Sequence, residues 1–395
     1  MTMQADAPGR VAGRIAAQAL VFRAFSAIVA FLANISLPAY RPEQFAPMFA
    51  TRSPFWDAFV PHDSGWYYQI ARDGYQFVAG GPPVGWGKAG KIAFFPVYPL
   101  LMRYVGRLFG HQAAAPYLGG IVVSWLAFSL AMVAIYYLAR LDLPARRARR
   151  AVILAAIFPF AFFFGVVYTE SVFLLFTVAS FYFFRTRRWA LGGCCGAVAT
   201  ATRVNGILML PALAWIAWRQ AEPNTRDRLR ASLGLACVPF GVGAYSLYVY
   251  RLTGNPLEWA RSIERWNYYP GGSPWLALVR LMEALFTHPY RYLAGERLAP
   301  FDTLNGLAAL LCVIAVPFVW RRFGAGYGLF MAANLWLPLS SGQYEGLGRY
   351  CAVLFPFFIW LAQIQSRAVF GSAVILSAML YPICLALFTK GLPLF

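Results

Sequence analysis

Apolar residues along this 395-residue chain fall into long blocks separated by short basic or polar connectors. A window of about 20 residues matches the hydrocarbon core of a bilayer. Read that way, long blocks lie near 15–37, 116–139, 231–250, 303–320 and 369–388. Shorter ones lie near 151–167, 169–184, 189–206, 207–219, 325–340 and 350–365. The pattern predicts about eleven spans, and hence an all-α polytopic membrane protein. It reads as a single domain over 1–395, interrupted by two long polar stretches at 38–115 and 251–302. About ten residues at the start are expected to be disordered.

The connectors give the orientation. RLDLPARRARR (140–150), RTRR (185–188), RQAEPNTRDRLR (219–230) and RR (321–322) are basic, which places them in the cytoplasm. The turns at YTES (168–171), NG (205–206) and SSGQYEGLGRY (340–350) then share the opposite face with the two long loops. One segment, KIAFFPVYPLLMRYVGRLFG (91–110), would reverse every later helix if it crossed the membrane. Its prolines and the Arg103/Arg107 pair suit an interfacial helix on the outer surface instead. The first span is too long for the apolar core of a signal peptide and reads as a retained signal-anchor.

Composition supports a bilayer as the solvent. Hydrophobic residues make up 60% of the chain and charged ones 12%, half the roughly one quarter of a soluble domain. A net charge of +19, almost all arginine, suits anionic lipid headgroups; nucleic acid is not expected as a partner. Cys194, Cys195, Cys237, Cys312, Cys351 and Cys384 sit in apolar stretches without CxxC spacing and are expected to be buried, inert thiols. His62, His111 and His288 are scattered, and there is no D-x-D, P-loop or G-x-S-x-G, so no metal and no cofactor is predicted. GGCCG (192–196) has the spacing of close helix packing.

Acidic residues are scarce, 15 in all, yet Asp57, Asp63 and Asp73 crowd into SPFWDAFVPHDSGWYYQIARDGYQ (53–76). Gly65 to Gly74 predicts a short amphipathic helix stopped by Gly74. Asp63 and Ser64 precede it, where a carboxylate ordinarily caps the helix. Trp66, Tyr67 and Tyr68 are expected in an interfacial aromatic belt. Arg203 in TRVNG and Arg349 in GRY stand among apolar residues, where a cation needs a partner. A phosphate held by the guanidinium is one such partner; Glu170, in a purely structural staple, is the other. Asn205 can orient either group or satisfy the local backbone. Arg23, inside the first span, is assigned no function. Residues 251–270 can cover a cleft with Trp259, Trp266, Tyr268 and Tyr269, although a solvated interfacial helix is the simpler reading.

The run D-S-G-W-Y-Y-Q-I-A-R-D-G-Y, followed by A-F-F-P-V-Y-P-L-L, resembles the signature of the PIG-V-type mannosyltransferases, in their bacterial branch. These are multi-span glycosyltransferases of the GT-C class. YTESVFLLF (168–176), TRVNG (202–206) and GRYCAVLFP (348–356) match further, in the same order. The family's Trp-Asp pair is His62-Asp63 here, whereas Trp56-Asp57 retains it, so Asp57 stays a rival to Asp63. The resemblance implies a GT-C-like fold in a bacterial inner membrane, with the active site facing the periplasm. It also implies transfer of mannose from a polyprenyl-phosphate sugar donor to a glycan or glycolipid acceptor. Asp63 is then the catalytic base, Arg349 and Arg203 bind the donor phosphate, and Glu170, Asn205, Tyr350 and His62 organise the site or bind acceptor. Chemically, a carboxylate can take the proton of a poorly nucleophilic alcohol as it attacks the anomeric carbon. One base is enough because the departing phosphate is already a stable anion, unlike the leaving group in glycoside hydrolysis. A transporter or flippase of lipid-linked saccharides is the alternative, but no inverted repeat is visible.

Overall fold

The computed structural model describes residues 8–39, 53–83, 85, 87–88, 90–266, 272–287, 289–290, 300–392 and 394. Regular structure among them is helical throughout. Among the described residues, five helical stretches are long and apolar enough to cross a membrane: Gly9–Ser36, Ala115–Arg140, Thr225–Thr253, Phe301–Phe323 and Arg367–Thr389. They coincide with the five long apolar blocks. The third is broken at Val238–Pro239 into helices Thr225–Cys237 and Phe240–Thr253, as expected where proline removes a backbone donor. Of the expected disordered start, residues 1–7 lie outside the described residues, and from Pro8 the chain is helical.

The shorter apolar blocks fold as short or interrupted helices rather than as uniform spans. Ala145–Ile157 is followed by a 3-10 turn at Pro159–Phe164. Glu170–Arg185 has 16 residues and Trp189–Thr202 has 14, about 24 and 21 Å of helix. A 3-10 turn at Val204–Met209 leads into Leu210–Gln220. Ala325–Leu339 precedes the two short helices Leu347–Ala352 and Phe355–Leu361. For brevity, Ser64–Asp73 is α1, Val97–Gly106 α2, Glu170–Arg185 α3, Trp189–Thr202 α4, Glu258–Arg265 α5 and Leu347–Ala352 α6. α2, with 10 residues, is too short to span and packs antiparallel against the start of Ala115–Arg140, with Tyr98 donating to the Gly120 carbonyl at 3.1 Å.

Polar contacts sort to two ends. At one, Arg185 grips Asp142 through two bonds of 2.8 and 2.9 Å and donates to Tyr327. Arg187 pairs with Glu222 at 2.6 Å, and Arg322 donates to Gln363. These are the basic connectors, drawn together. α3 and α4 run as an antiparallel pair from that end, so Glu170 and Arg203 arrive at the other. GGCCG lies where α4 meets Thr225–Cys237. The cysteines divide: Cys312, Cys351 and Cys384 are buried, but Cys194 and Cys237 are exposed on the outer surface of their helices, contrary to expectation. A helix wrapped by lipid hides apolar side chains without packing them. Arg23 is buried, donates to the Ala161 carbonyl at 3.3 Å and lies over Phe128 at 4.0 Å, so aromatic faces hold it within the bundle.

Candidate active site

The first loop is stitched to the YTES turn. Ser64 Oγ donates to the Val167 carbonyl at 3.2 Å, Val167 N–H donates to the Phe59 carbonyl at 3.0 Å, and Asp63 N–H donates to the Tyr168 hydroxyl at 3.2 Å. His62 takes a left-handed φ of 56°, rare for a residue with a side chain, and turns the chain into α1. Asp63 stands at the N-cap position of α1, but its side chain makes no capping bond. Its carboxylate instead receives a hydrogen bond from Arg349 Nη1 at 3.2 Å. The ordinary explanation for an aspartate there, helix capping, is therefore absent.

Arg349 lies in α6, whose start is set by Gly346 in the left-handed region (φ 76°) and by Gly348 N–H donating to Asn305 Oδ1 at 2.7 Å. A Cβ on Gly348 would sit 2.3 Å from the Phe160 ring, so only glycine lets α6 approach closely enough. Arg349 Nε comes within 3.4 Å of Glu170 Oε1, and Arg203 forms a short ion pair with the same oxygen. Asn205 Oδ1 accepts from Arg203 Nε at 3.3 Å, while its amide donates to Asn334 Oδ1 at 3.1 Å. Glu170 is fully buried and the two arginines nearly so. One inner carboxylate, Glu170, thus holds two guanidiniums, and that of Arg349 also holds Asp63.

This cluster opens into a cavity of about 370 Å³, lined among others by Asp63, Tyr67, Arg203, Asn205, Arg349 and Tyr350. Asp63 keeps about a fifth of its side chain exposed (22%). Burial raises its carboxyl above the ordinary aspartate value, with the Arg349 charge and hydrogen bond pulling the other way. The Tyr350 ring lies 5.0 Å from the Arg203 guanidinium. Asp57, the rival carboxylate, ends a four-residue helix, Pro54–Asp57, and is not among the cavity residues. His62 also stays outside the lining: its ring packs on Phe388 at 5.2 Å. Burial and the Arg349 charge lower the imidazole to about 4, against a carbonyl bond that raises it.

Three elements differ from expectation. Tyr67 and Tyr68 are buried rather than in a belt; Tyr68 stacks on Tyr117 at 4.4 Å, and Tyr67 faces the cavity. α5 is solvated on one face only: Arg261 and Glu264 are exposed, whereas Glu258 and Ser262 are buried and Ile263 and the following Trp266 form part of the cavity wall. Its cohesion comes from Glu258 pairing with Arg265 at 2.6 Å and from Trp259 donating to Ser246 Oγ at 2.8 Å. Tyr268 and Tyr269 lie outside the described residues. Thirdly, Asn334, Asn305 and Glu345 join the site or its support without having been singled out. A lone asparagine in the apolar run MAANLWL was a readable signal for Asn334.

Comparison with known proteins bears on the fold. A family model described as dolichyl-phosphate-mannose-protein mannosyltransferase matches residues 93–242. That segment takes in Glu170 and Arg203 but neither Asp63 nor Arg349. No curated protein matches the chain. ArnT from Cupriavidus metallidurans, solved bound to undecaprenyl phosphate, is similar over 95% of this chain and 76% of its own, at 13% identity and a TM-score of 0.52. The apo oligosaccharyltransferase of Archaeoglobus fulgidus is similar over 95% of this chain, at 14% identity and a TM-score of 0.49. The chain spans 56% of that archaeal protein's length. The architecture is GT-C-like: an all-helical membrane fold of the kind ArnT adopts.

Proposed function

We propose that this chain is an integral membrane glycosyltransferase that moves a sugar from a polyprenyl-phosphate donor to an extracytoplasmic glycan or glycolipid acceptor. Asp63 is the base. The acceptor hydroxyl oxygen bonds to the anomeric carbon as the bond from that carbon to the phosphate oxygen breaks. The hydroxyl proton passes to Asp63, polyprenyl phosphate leaves, and the configuration inverts. Arg349 and Arg203 steady the phosphate, Glu170 holds both guanidiniums, and Asn205 orients Arg203. The observation that carries this reading is the Asp63 carboxylate, free of any capping role and turned to an arginine at a cavity wall.

Charge balance weighs more heavily against a diphosphate donor than against a monophosphate one. Among the described residues, two arginines at the cavity meet Asp63 and Glu345 in its lining and Glu170 behind it, with no positive surplus for a diphosphate. A phosphodiester brings one negative charge and can share both guanidiniums. ArnT was solved with undecaprenyl phosphate, a phosphomonoester of the kind such a donor leaves behind. Mannose as the sugar, the PIG-V-type assignment and a periplasm-facing site in a bacterial inner membrane rest on the motif resemblance and the basic connectors.

The test is incubation of purified protein with radiolabelled polyprenyl-phosphate-mannose and native membrane lipids, followed by product identification. A labelled glycolipid or glycan is expected. Arg349→Ala should raise the donor KM more than the acceptor KM. Movement of lipid-linked sugar across proteoliposomes without a new glycosidic bond would replace the enzyme with a transporter.

A further inference from the structure

Glu345 is not used by the mechanism above. It lies in the loop before α6 and lines the cavity, four residues before Arg349. Glu170 and Asp63 each hold an arginine, whereas Glu345 makes no hydrogen bond and no ion pair within the described residues. Burial raises its carboxyl, with Arg349 opposing and Asp63 and Asp302 adding to the rise. A partly buried carboxylate without a fixed partner costs stability, so packing does not explain it. The loop that carries it is anchored without it: Tyr344 donates to the Ala277 carbonyl at 2.7 Å, and Gly272 N–H donates to the Ser340 carbonyl at 2.9 Å.

The cavity also has an aromatic wall. Trp266, just past α5, lines it together with Phe94. Trp66 braces Trp266 edge-on at 5.3 Å and lies parallel to Phe94 at 6.1 Å. Neither aromatic face nor an anionic carboxylate can serve a phosphate, and the carboxylate repels one. Both suit a pyranose: aliphatic C–H faces pack on an indole, and a carboxylate accepts hydrogen bonds from two hydroxyls.

We infer that Glu345 and Trp266 form a sugar-recognition subsite, distinct from the phosphate-facing arginines, that binds ring hydroxyls of one of the two glycan substrates. The inference rests on the glycosyltransferase reading. Glu345 is a positioning residue and Trp266 its apolar platform; the proton of the reaction goes to Asp63.

Glu345→Gln, Glu345→Asp and Trp266→Ala in the full chain test it, with two readouts. The first is binding of undecaprenyl phosphate, which has no sugar. The second is steady-state transfer, with KM determined separately for the polyprenyl-phosphate sugar and for the acceptor. Glu345→Gln should bind undecaprenyl phosphate as well as the parent does or better, and should raise one sugar KM about 10-fold, about 1.4 kcal/mol. Glu345→Asp should recover part of that loss, and Trp266→Ala should raise the same KM. A rise in the donor KM puts the subsite on the donor sugar; a rise in the acceptor KM puts it on the acceptor. Weakened binding of undecaprenyl phosphate by Glu345→Gln, or two unchanged KM values, overturns the subsite. An unaltered chain that makes no glycoside at all sinks the glycosyltransferase reading and the subsite with it. Activity in the unaltered chain with unchanged KM values in the variants sinks the subsite alone.

Discussion

Replacing Asp63 with asparagine separates chemistry from stability. General base catalysis contributes roughly 10²- to 10⁴-fold, or about 3 to 5 kcal/mol of barrier. Transfer by Asp63→Asn should fall by about that factor. Stability should move differently. The Asp63 carboxyl is raised in the folded protein, so the folded state binds its proton more tightly than the unfolded chain does. Its contribution is then fullest below the unfolded value and declines as pH rises through the folded one. Folding thus penalises the charged form relative to the unfolded chain, and asparagine supplies a neutral group of similar shape. Arg349 keeps Glu170 within 3.4 Å, so it is not stranded by the change. The thermal midpoint of Asp63→Asn in detergent should equal or exceed that of the parent. Transfer is measured with labelled donor on the same preparation, with Asp57→Asn as a fully active control. Retention of near-normal transfer would refute the base assignment. A midpoint several degrees lower would instead make Asp63 a structural staple.

Two further substitutions probe the scaffold. Glu170→Gln leaves the nearly buried Arg203 without its counter-charge, while Arg349 keeps Asp63 at 3.2 Å; it should cost about 3 to 5 kcal/mol, read as a lower thermal midpoint together with lost transfer. Gly193→Ala would place a Cβ 2.3 Å from the Gly234 carbonyl oxygen; overpacking of about 1 to 3 kcal/mol should lower the midpoint while donor KM stays unchanged.

Much of this architecture was readable because membrane physics writes it coarsely. An unbroken block of apolar residues has few fates, so the five long helices followed directly from hydropathy. The short segments were harder, because Pro159, Pro239 and the Asn205–Gly206 pair interrupt helices in ways a sliding window averages away. Arginines in apolar runs were also legible: Arg203 and Arg349 demanded partners, and the structure supplies Glu170 to both and Asp63 to one. Of the two partners weighed, the structure supplies Glu170, and a guanidinium with five N–H groups keeps donors to spare for the proposed phosphate. The aromatics could not be resolved from sequence. A tyrosine beside a membrane reads identically whether its ring faces lipid or a cavity, and only the stitching of Ser64 and Asp63 to Val167 and Tyr168 turned Tyr67 inward.

In the proposed mechanism Arg349 stands between the base and the donor phosphate, and this makes a pH experiment informative. Before donor arrives, Arg349 lowers the Asp63 carboxyl by charge and hydrogen bond, against the larger effect of burial. A phosphate that draws the guanidinium away removes that opposition and adds a nearby negative charge. Both changes raise the carboxyl further. The acid limb of kcat/KM reports the free enzyme, and that of kcat reports the substrate complex. The kcat limb should therefore lie at higher pH than the kcat/KM limb, and both should lie above the ordinary aspartate value of 3.8. An imidazole would confuse the profile near 6.5, but His62 is held at about 4 and stays neutral through the neutral range. Glu345 is the other raised carboxyl at the cavity, so the profiles are repeated in Glu345→Gln, where the same ordering should persist. Coincident limbs, or a kcat limb at lower pH than the kcat/KM limb, would mean that Arg349 does not leave Asp63 when donor binds, and the base would then have to act while still bonded to a cation.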